Sequence, residues 1–166
     1  MTFRNLTLSK PDSFEQELLW AQDMPSLAQA AERQFAKAGV RQVKLIWGAA
    51  LLEPDQWRCA PLETTNDSLD GSYRSLILKA RRLAGRAKAR AAGIVQVAHL
   101  LTSNETNWAC LYSETDANVV AGGQSNLRRK DVASLALRCQ SVLQTEHFHL
   151  DIQRLASAEQ IGRAHV

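Results

Sequence analysis

The sequence predicts an α+β protein in which helices flank an antiparallel sheet and a long helix closes the chain. Three observations predict this fold class. Apolar residues recur at helical spacing before residue 40, alternate with polar residues in several short segments farther along, and return to helical spacing after residue 130. The chain has 166 residues, of which 45% are hydrophobic and 22% charged, as in an ordinary globular domain with its own core.

Two helices are predicted ahead of the first strand. The first is expected to begin at Asp12, because Glu15 follows three residues later as in a capping box. The segment Asp23-Met24-Pro25 then separates it from a second helix. Gly39 ends that second helix, since glycine readily adopts the left-handed conformation found after helix C-termini.

A β-hairpin is predicted next. Residues 43–47 alternate as a strand, and Trp57 to Ala60 return as its partner. Between them, Glu53-Pro54-Asp55-Gln56 has the composition of a turn, because proline presets the backbone angle of its second position. Pro61 is expected to end the second strand.

The middle of the chain is predicted to contain one more helix and three short strands. The helix extends from Ser72 to about Ala92, with Gly93 as its stop. The strands follow at 94–97, 108–112 and 119–121, with a turn at 114–117 before the last of them.

The last segment is predicted to be one long helix. From about Lys130 to Ile161 it contains neither glycine nor proline. Its apolar stripe changes register between residues 143 and 148, and a periodic stretch of this length is typical of a connector or coiled coil. We therefore expect a globular domain over 1–145 and a connector helix over 146–166.

This order of elements resembles the GAF domain of bacterial signalling proteins. The resemblance covers roughly residues 13–145, and the segments SLAQAAERQFAKAGVRQVKLIW and AALLEPDQWRCAP carry it most clearly. The tail IQRLASAEQIGRA is similar to the helices that join such domains to diguanylate cyclase, phosphodiesterase or histidine kinase outputs. The resemblance implies a ligand pocket on one sheet face, a homodimer formed through the terminal helices and an output domain in the parent protein.

Four residues are candidates for binding the ligand. Alternation along a strand places Trp108, Cys110 and Tyr112 on one face of the sheet, and His99 ends a strand near them in the expected order. An apolar pocket with a few polar groups is the usual small-molecule site. Core packing is the competing interpretation of the aromatic residues, and neither the ligand nor a cofactor is identified by the sequence.

An uneven charge distribution gives the alternative function. The net charge is only +3, yet residues 71–104 contain no Asp or Glu, which leaves 13 basic against 17 acidic residues elsewhere. A basic helix face could bind nucleic acid or another polyanion, and a solvated surface or an acidic protein partner is the competing interpretation. The candidate polyanion-binding residues are Arg74, Arg81, Arg82, Arg86 and Lys88.

Catalysis and metal binding are not predicted. No nucleophile elbow, phosphate-binding loop or zinc-protease motif occurs, and the cysteines at 59, 110 and 139 form no CxxC pair. His147 and His149 are two residues apart, so one continuous helix cannot present both to one metal. The GAF-like sulfoxide reductases, which use cysteines, are a third alternative. Without a signal peptide or an apolar run of membrane-spanning length, we expect a cytoplasmic chain with no membrane insertion.

Overall fold

The computed structural model describes residues 13–49, 57–61, 71–84, 89–91, 93–121 and 127–164. The helices are α1 (Phe14–Trp20), α2 (Met24–Ala36), α3 (Gly71–Leu83), α4 (Ala117–Ala121) and α5 (Arg129–Ala164). The strands are β1 (Gln42–Ala49), β2 (Arg58–Ala60), β3 (Ala89–Ala91), β4 (Ile94–Ser103) and β5 (Asn107–Asp116). Within these residues the predicted α+β class is confirmed, as are the antiparallel pairing of β1 with β2 and the long last helix, whereas the predicted turn at 53–56 lies outside them.

The five strands form one antiparallel sheet in the order β2-β1-β5-β4-β3. Strand β5 lies at its centre and pairs with β1 from Asn107 to Glu114 on one side and with β4 from Trp108 to Asp116 on the other. Leu111, for example, lies between Leu45 of β1 and His99 of β4. Because directly paired residues project to the same side, this register fixes which side chains share a face.

One face of the sheet, here called the three-helix face, packs against α1, α2 and α5. Leu45 and Leu111 are fully buried on it. They belong to one core with Leu27 of α2 and with Leu135 and Cys139 of α5. This core holds most of the buried apolar side chains, so the three helices depend on this face of the sheet for their burial.

The opposite face, here called the α3 face, packs against α3. Ile46, Cys110 and Tyr112 are fully buried on it. Ile77 and Ala80 of α3 complete the cluster. The sheet is therefore a middle layer with helices on both sides.

The helix starts follow local side-chain signals. Ser13 caps α1 by accepting a hydrogen bond from the Gln16 backbone amide at 3.2 Å, so the helix begins after Ser13, and Asp12 lies outside the described residues. Asp23 caps α2 by accepting from the Ser26 amide at 2.8 Å. Gly39 has a φ of 86°, which confirms its predicted place at the end of α2.

The predicted helix from 72 to 92 is wrong in its second half. Helix α3 ends at Leu83, and residues 89–91 form β3, in which Arg90 pairs with Val95 of β4. The segment has strong helix formers, but the free edge of β4 offers backbone partners that outweigh this local preference. Gly93, with a φ of 77°, therefore belongs to the turn between β3 and β4 and not to a helix end.

The predicted turn at 114–117 and the strand at 119–121 are also wrong. Strand β5 continues to Asp116, because β4 is long enough to pair Ile94 with Asp116. The Ala117 amide then donates to the Gly93 carbonyl at 2.8 Å, and the chain turns into α4. Residues 117–121, which include Val119 and Val120, are therefore helical and do not pair with the sheet as a further strand.

Helix α5 is 36 residues long, and its two halves differ in burial. Cys139 and Leu143 belong to the core, whereas Phe148 farther along is 63% exposed. The last core residue thus lies where the predicted change of register begins. In the first half, Arg138 donates to the Leu18 and Ala21 carbonyls, each at 2.9 Å, and so joins α5 to the C-terminal end of α1.

We expect Gly48→Ala to destabilise the fold. A Cβ at this position would overlap Cδ1 of Trp57 and lie 2.8 Å from its Nε1, so the ring or the strand must shift. Overpacking of this kind costs about 1–3 kcal/mol of unfolding free energy, to be measured by chemical denaturation. In a double-mutant cycle with Trp57→Leu, the cost of the alanine should largely disappear. An equal cost in both backgrounds would contradict this explanation.

Candidate functional site

The structure brings together three of the four predicted ligand-binding residues. Trp108, Cys110 and Tyr112 alternate along β5 and all belong to the α3 face. They are packed against other side chains, because the Trp108 ring stacks on Trp57 with the ring centres 4.7 Å apart. The Arg81 guanidinium lies over the Trp57 ring, 5.0 Å from its centre.

His99, the fourth predicted residue, lies on the other face. It pairs with Leu111, whose side chain belongs to the core of the three-helix face. His99 therefore cannot share one pocket with Trp108 or Tyr112, because the sheet itself separates them. The sequence was sufficient to predict that alternate residues of β5 share a face. Assigning His99 to a face required the pairing of β4 with β5, which the structure supplies.

A cluster of polar side chains extends the α3 face beyond Tyr112. The Tyr112 hydroxyl donates to the Glu114 carboxylate at 2.5 Å, and the Gln96 amide donates to the same oxygen at 3.5 Å. Lys44 pairs with Tyr112 across β1 and β5, is 3% exposed, and donates to the Pro61 carbonyl. We call Lys44, Gln96, Tyr112 and Glu114 the α3-face polar cluster.

This cluster supplies both signs of charge at a largely buried position. Burial and the hydrogen bond to Glu114 raise the pKa of Tyr112, so its hydroxyl stays protonated and donates. Because Lys44 and Tyr112 are buried and the groups are bonded within the protein, a polar ligand would bind this cluster by replacing one of its internal hydrogen bonds. Lys44, Gln96 and Glu114 were not predicted as site residues. Two features of the sequence do indicate a polar site: a lysine inside an apolar strand and a glutamate two residues after Tyr112.

The three cysteines are buried and unpaired with one another. Burial raises the pKa of Cys59 to about 11, partly opposed by the positive charge of Lys44, and raises that of Cys139 to about 12. The pKa of Cys110 is also raised, by burial first and then by Cys59. These thiols are therefore protonated at neutral pH, which disfavours the attacking thiolate that a sulfoxide reductase needs.

The structure describes three of the five predicted polyanion-binding residues. Arg74, Arg81 and Arg82 are exposed on α3, whereas Arg86 and Lys88 lie outside the described residues. Arg90, which was predicted to continue the basic helix face, belongs to strand β3 and does not share a helix with them.

An exposed apolar stripe follows one side of α5. Phe148 lies 11 residues and Leu155 lies 18 residues after Leu137, or about three and five helical turns, so all three share one side. Their exposed fractions are 63% for Phe148 and 69% for Leu155 and Leu137, and Ile152 beside them is 48% exposed. We call Leu137, Phe148, Ile152 and Leu155 the α5 stripe. Leu19 of α1, 67% exposed, adds to the apolar surface on this side of the molecule.

The part of the chain that the structure describes holds no group of three or more His, Cys, Asp or Glu side chains able to bind a metal. Among the same residues, no helix is both long enough and apolar enough to cross a membrane. Comparison with protein-family models, with curated proteins and with solved structures finds no significant match. The α3-face polar cluster and the α5 stripe are therefore the features of the described residues that bear on function.

We expect all three thiols to resist modification in the folded protein. With pKa values of about 11 for Cys59 and about 12 for Cys139, Ellman's reagent at pH 8 should react about a hundredfold or more slowly than after unfolding. The measurement is the release of thionitrobenzoate with and without guanidinium. Rapid labelling of one thiol under native conditions would contradict this prediction and would restore the cysteine-enzyme alternative.

Proposed function

We propose that this chain is a non-catalytic, GAF-like regulatory domain that forms a homodimer through α5 and passes a ligand signal along that helix. The observation that carries the proposal is that α5 has both a buried side and an exposed apolar side. In its first half one side of the helix is part of the core, and the α5 stripe follows another side of the same uninterrupted helix from Leu137 to Leu155. A helix that is fixed at one end and apolar on an outer side is suited to pairing with a second helix.

The dimer is supported by the shape and chemistry of the α5 stripe. From Leu137 to Leu155 the stripe is about 27 Å long at 1.5 Å per residue. Large apolar side chains exposed on one side of a helix favour association, because burial removes them from water. A second copy is the occupant that we propose, since a two-fold axis brings the same apolar residues of both protomers together.

Ligand binding is supported by the α3-face polar cluster. Lys44 and Tyr112 come from β1 and β5, the same strands whose Leu45 and Leu111 contact the core that holds α5. A ligand that changes the spacing of these strands also acts on the packing of Leu135 and α5. Such a ligand shifts the dimer only if it binds its two arrangements with different affinity.

The direction of the signal follows from the course of α5. The helix leaves the core after Leu143 and continues to Ala164, so a change at the sheet is carried away from it along the helix axis. In this proposal the receiver is a cyclase, phosphodiesterase or histidine kinase output domain in the parent protein, as the resemblance of residues 152–164 implies.

The proposed dimer predicts a specific effect of Leu155→Gln. Size-exclusion chromatography with light scattering should show a wild-type dimer that dissociates on dilution. Because each dimer buries this residue twice, the substitution should weaken association about tenfold or more. The matched control is Leu78→Gln on α3, where a leucine that is 39% exposed lies away from the stripe and its loss should leave the dimer intact.

Two outcomes would contradict this proposal. A wild-type chain that stays monomeric at the highest soluble concentration excludes signalling through paired α5 helices. Equal weakening by Leu155→Gln and Leu78→Gln would show that the interface lies elsewhere. Circular dichroism of each variant is the control for folding.

A further inference from the structure

Two adjoining cavities lie between α5 and the end of the sheet formed by the β4–β5 turn. Their volumes are about 460 Å³ and 700 Å³, and they share Thr106, Asn107, Leu143 and His147 in their walls. Together they form one depression, here called the α5 groove. Its size is that of a small-molecule site. It lies on the three-helix face, and so differs from the α3-face polar cluster on the other side of the sheet.

The groove and the α5 stripe occupy opposite sides of the same helix. Leu143, His147 and Arg154 line the groove and follow one another at four and seven residues, which keeps them on one side. Phe148 of the stripe is five residues after Leu143, or about 140° around the helix. A ligand in the groove therefore leaves the stripe free to contact a second copy.

The groove has an apolar floor and an ordered polar rim. Trp47 of β1 and Leu143 of α5 are mostly buried and belong to the core beneath it. At the rim, the Asn104 side-chain oxygen accepts from the Thr106 amide at 2.8 Å and from the Asn107 amide at 2.7 Å. These bonds hold the turn in place, so the rim is preformed.

Positive charge predominates in the walls of the groove. Arg58 enters from β2 and Arg154 from α5, and within the described residues neither forms an ion pair. Glu146 is the one acidic side chain among the described wall residues, which leaves the two arginines in excess by a single charge. Partial burial raises the pKa of Glu146, and the positive charge of Arg58 opposes that rise. The Nε2 atom of His147 lies 3.3 Å from the Oδ2 atom of Asp151, which is one turn farther along α5.

We propose that the α5 groove binds a small organic anion that carries one negative charge and an apolar body. Arg58 and Arg154 hold the charged group from two sides, because each guanidinium can donate more than one hydrogen bond to it. The apolar body lies against Trp47 and Leu143. The apolar floor favours an organic anion over inorganic phosphate, because phosphate has no apolar body to bury against these two side chains.

Such a ligand would connect β2 directly to the second half of α5, which extends beyond the core. Arg58 is in the short strand β2, whereas Arg154 lies beyond the last buried residue of α5. Bridging them fixes the half of α5 that carries Phe148 and Leu155. The consequence for the dimer rests on the proposed function, whereas binding of the anion does not.

The test uses a matched pair of fluorescent probes on the full chain. 8-Anilinonaphthalene-1-sulfonate has one sulfonate on an apolar ring system, and N-phenyl-1-naphthylamine is the same ring system without it. We expect saturable binding of one sulfonate probe per chain, at least about tenfold tighter than binding of the neutral probe. Inorganic phosphate should not displace the sulfonate probe.

Substitution then locates the probe. The pair Arg58→Gln and Arg154→Gln should weaken sulfonate binding about tenfold or more and leave binding of the neutral probe unchanged. The control, Arg129→Gln, changes an exposed arginine at the start of the same helix and should change neither. Thermal melting verifies that each variant is folded. Arg154→Gln alone, at an exposed helical position that accepts glutamine readily, should show a smaller loss and serves if the double variant is unstable.

Any of four results would overturn the inference. Equal affinity for the two probes excludes recognition of the charge, and unchanged binding in the arginine variants excludes the groove. Loss of binding in Phe148→Gln alone would place the probe on the α5 stripe, and displacement by phosphate would exclude an organic monoanion. Light scattering of the same samples separates the two proposals. A monomer that binds the sulfonate probe refutes the dimer only, and a dimer without charge-dependent binding refutes the groove site only.

Discussion

The antiparallel pairing of β5 with both β1 and β4 is the constraint on which the rest of the structure depends. Because side chains alternate along a strand, this one register assigns Leu111 to the core of the three helices and its neighbours Cys110 and Tyr112 to the α3 face. A slip by one residue would exchange the two sets and place Tyr112 and its polar neighbours against α1, α2 and α5. The register therefore decides which side chains each candidate site contains.

The two faces of the sheet are stabilised in different ways. The three-helix face is held by a large apolar core, to which α5 contributes through Leu135, Cys139 and Leu143. The α3 face has a smaller apolar cluster, supplemented by the stacked rings of Trp57 and Trp108. Polar side chains beside that cluster are mutually hydrogen-bonded, which limits the cost of burying them.

Helix α5 carries both of the surfaces on which the proposed dimer and the proposed groove site depend. One side of its second half faces the groove, and the opposite side carries the α5 stripe. A continuous helix transmits a rotation or tilt over its length, because its backbone hydrogen bonds keep it rigid. In the proposed dimer, contacts made at the sheet or in the groove would therefore change the arrangement of the two α5 stripes. The free energy available to such a signal equals the difference in ligand affinity between the two arrangements.

The sequence by itself determined the elements that have strong local signals. Periodicity, the break at Asp23-Met24-Pro25 and the stop at Gly39 were sufficient for α2, and the long segment without glycine or proline was sufficient for α5. Alternation likewise gave the shared face of Trp108, Cys110 and Tyr112. Tertiary structure alone decided that residues 89–91 form a strand, that residues 119–121 do not, and that His99 lies on the opposite face. The α3-face polar cluster and the α5 groove were also decided at that level. The reason is that each of these features depends on strand pairing or helix packing between residues far apart in the chain. The residue pattern of a single strand does not determine which other strands it pairs with.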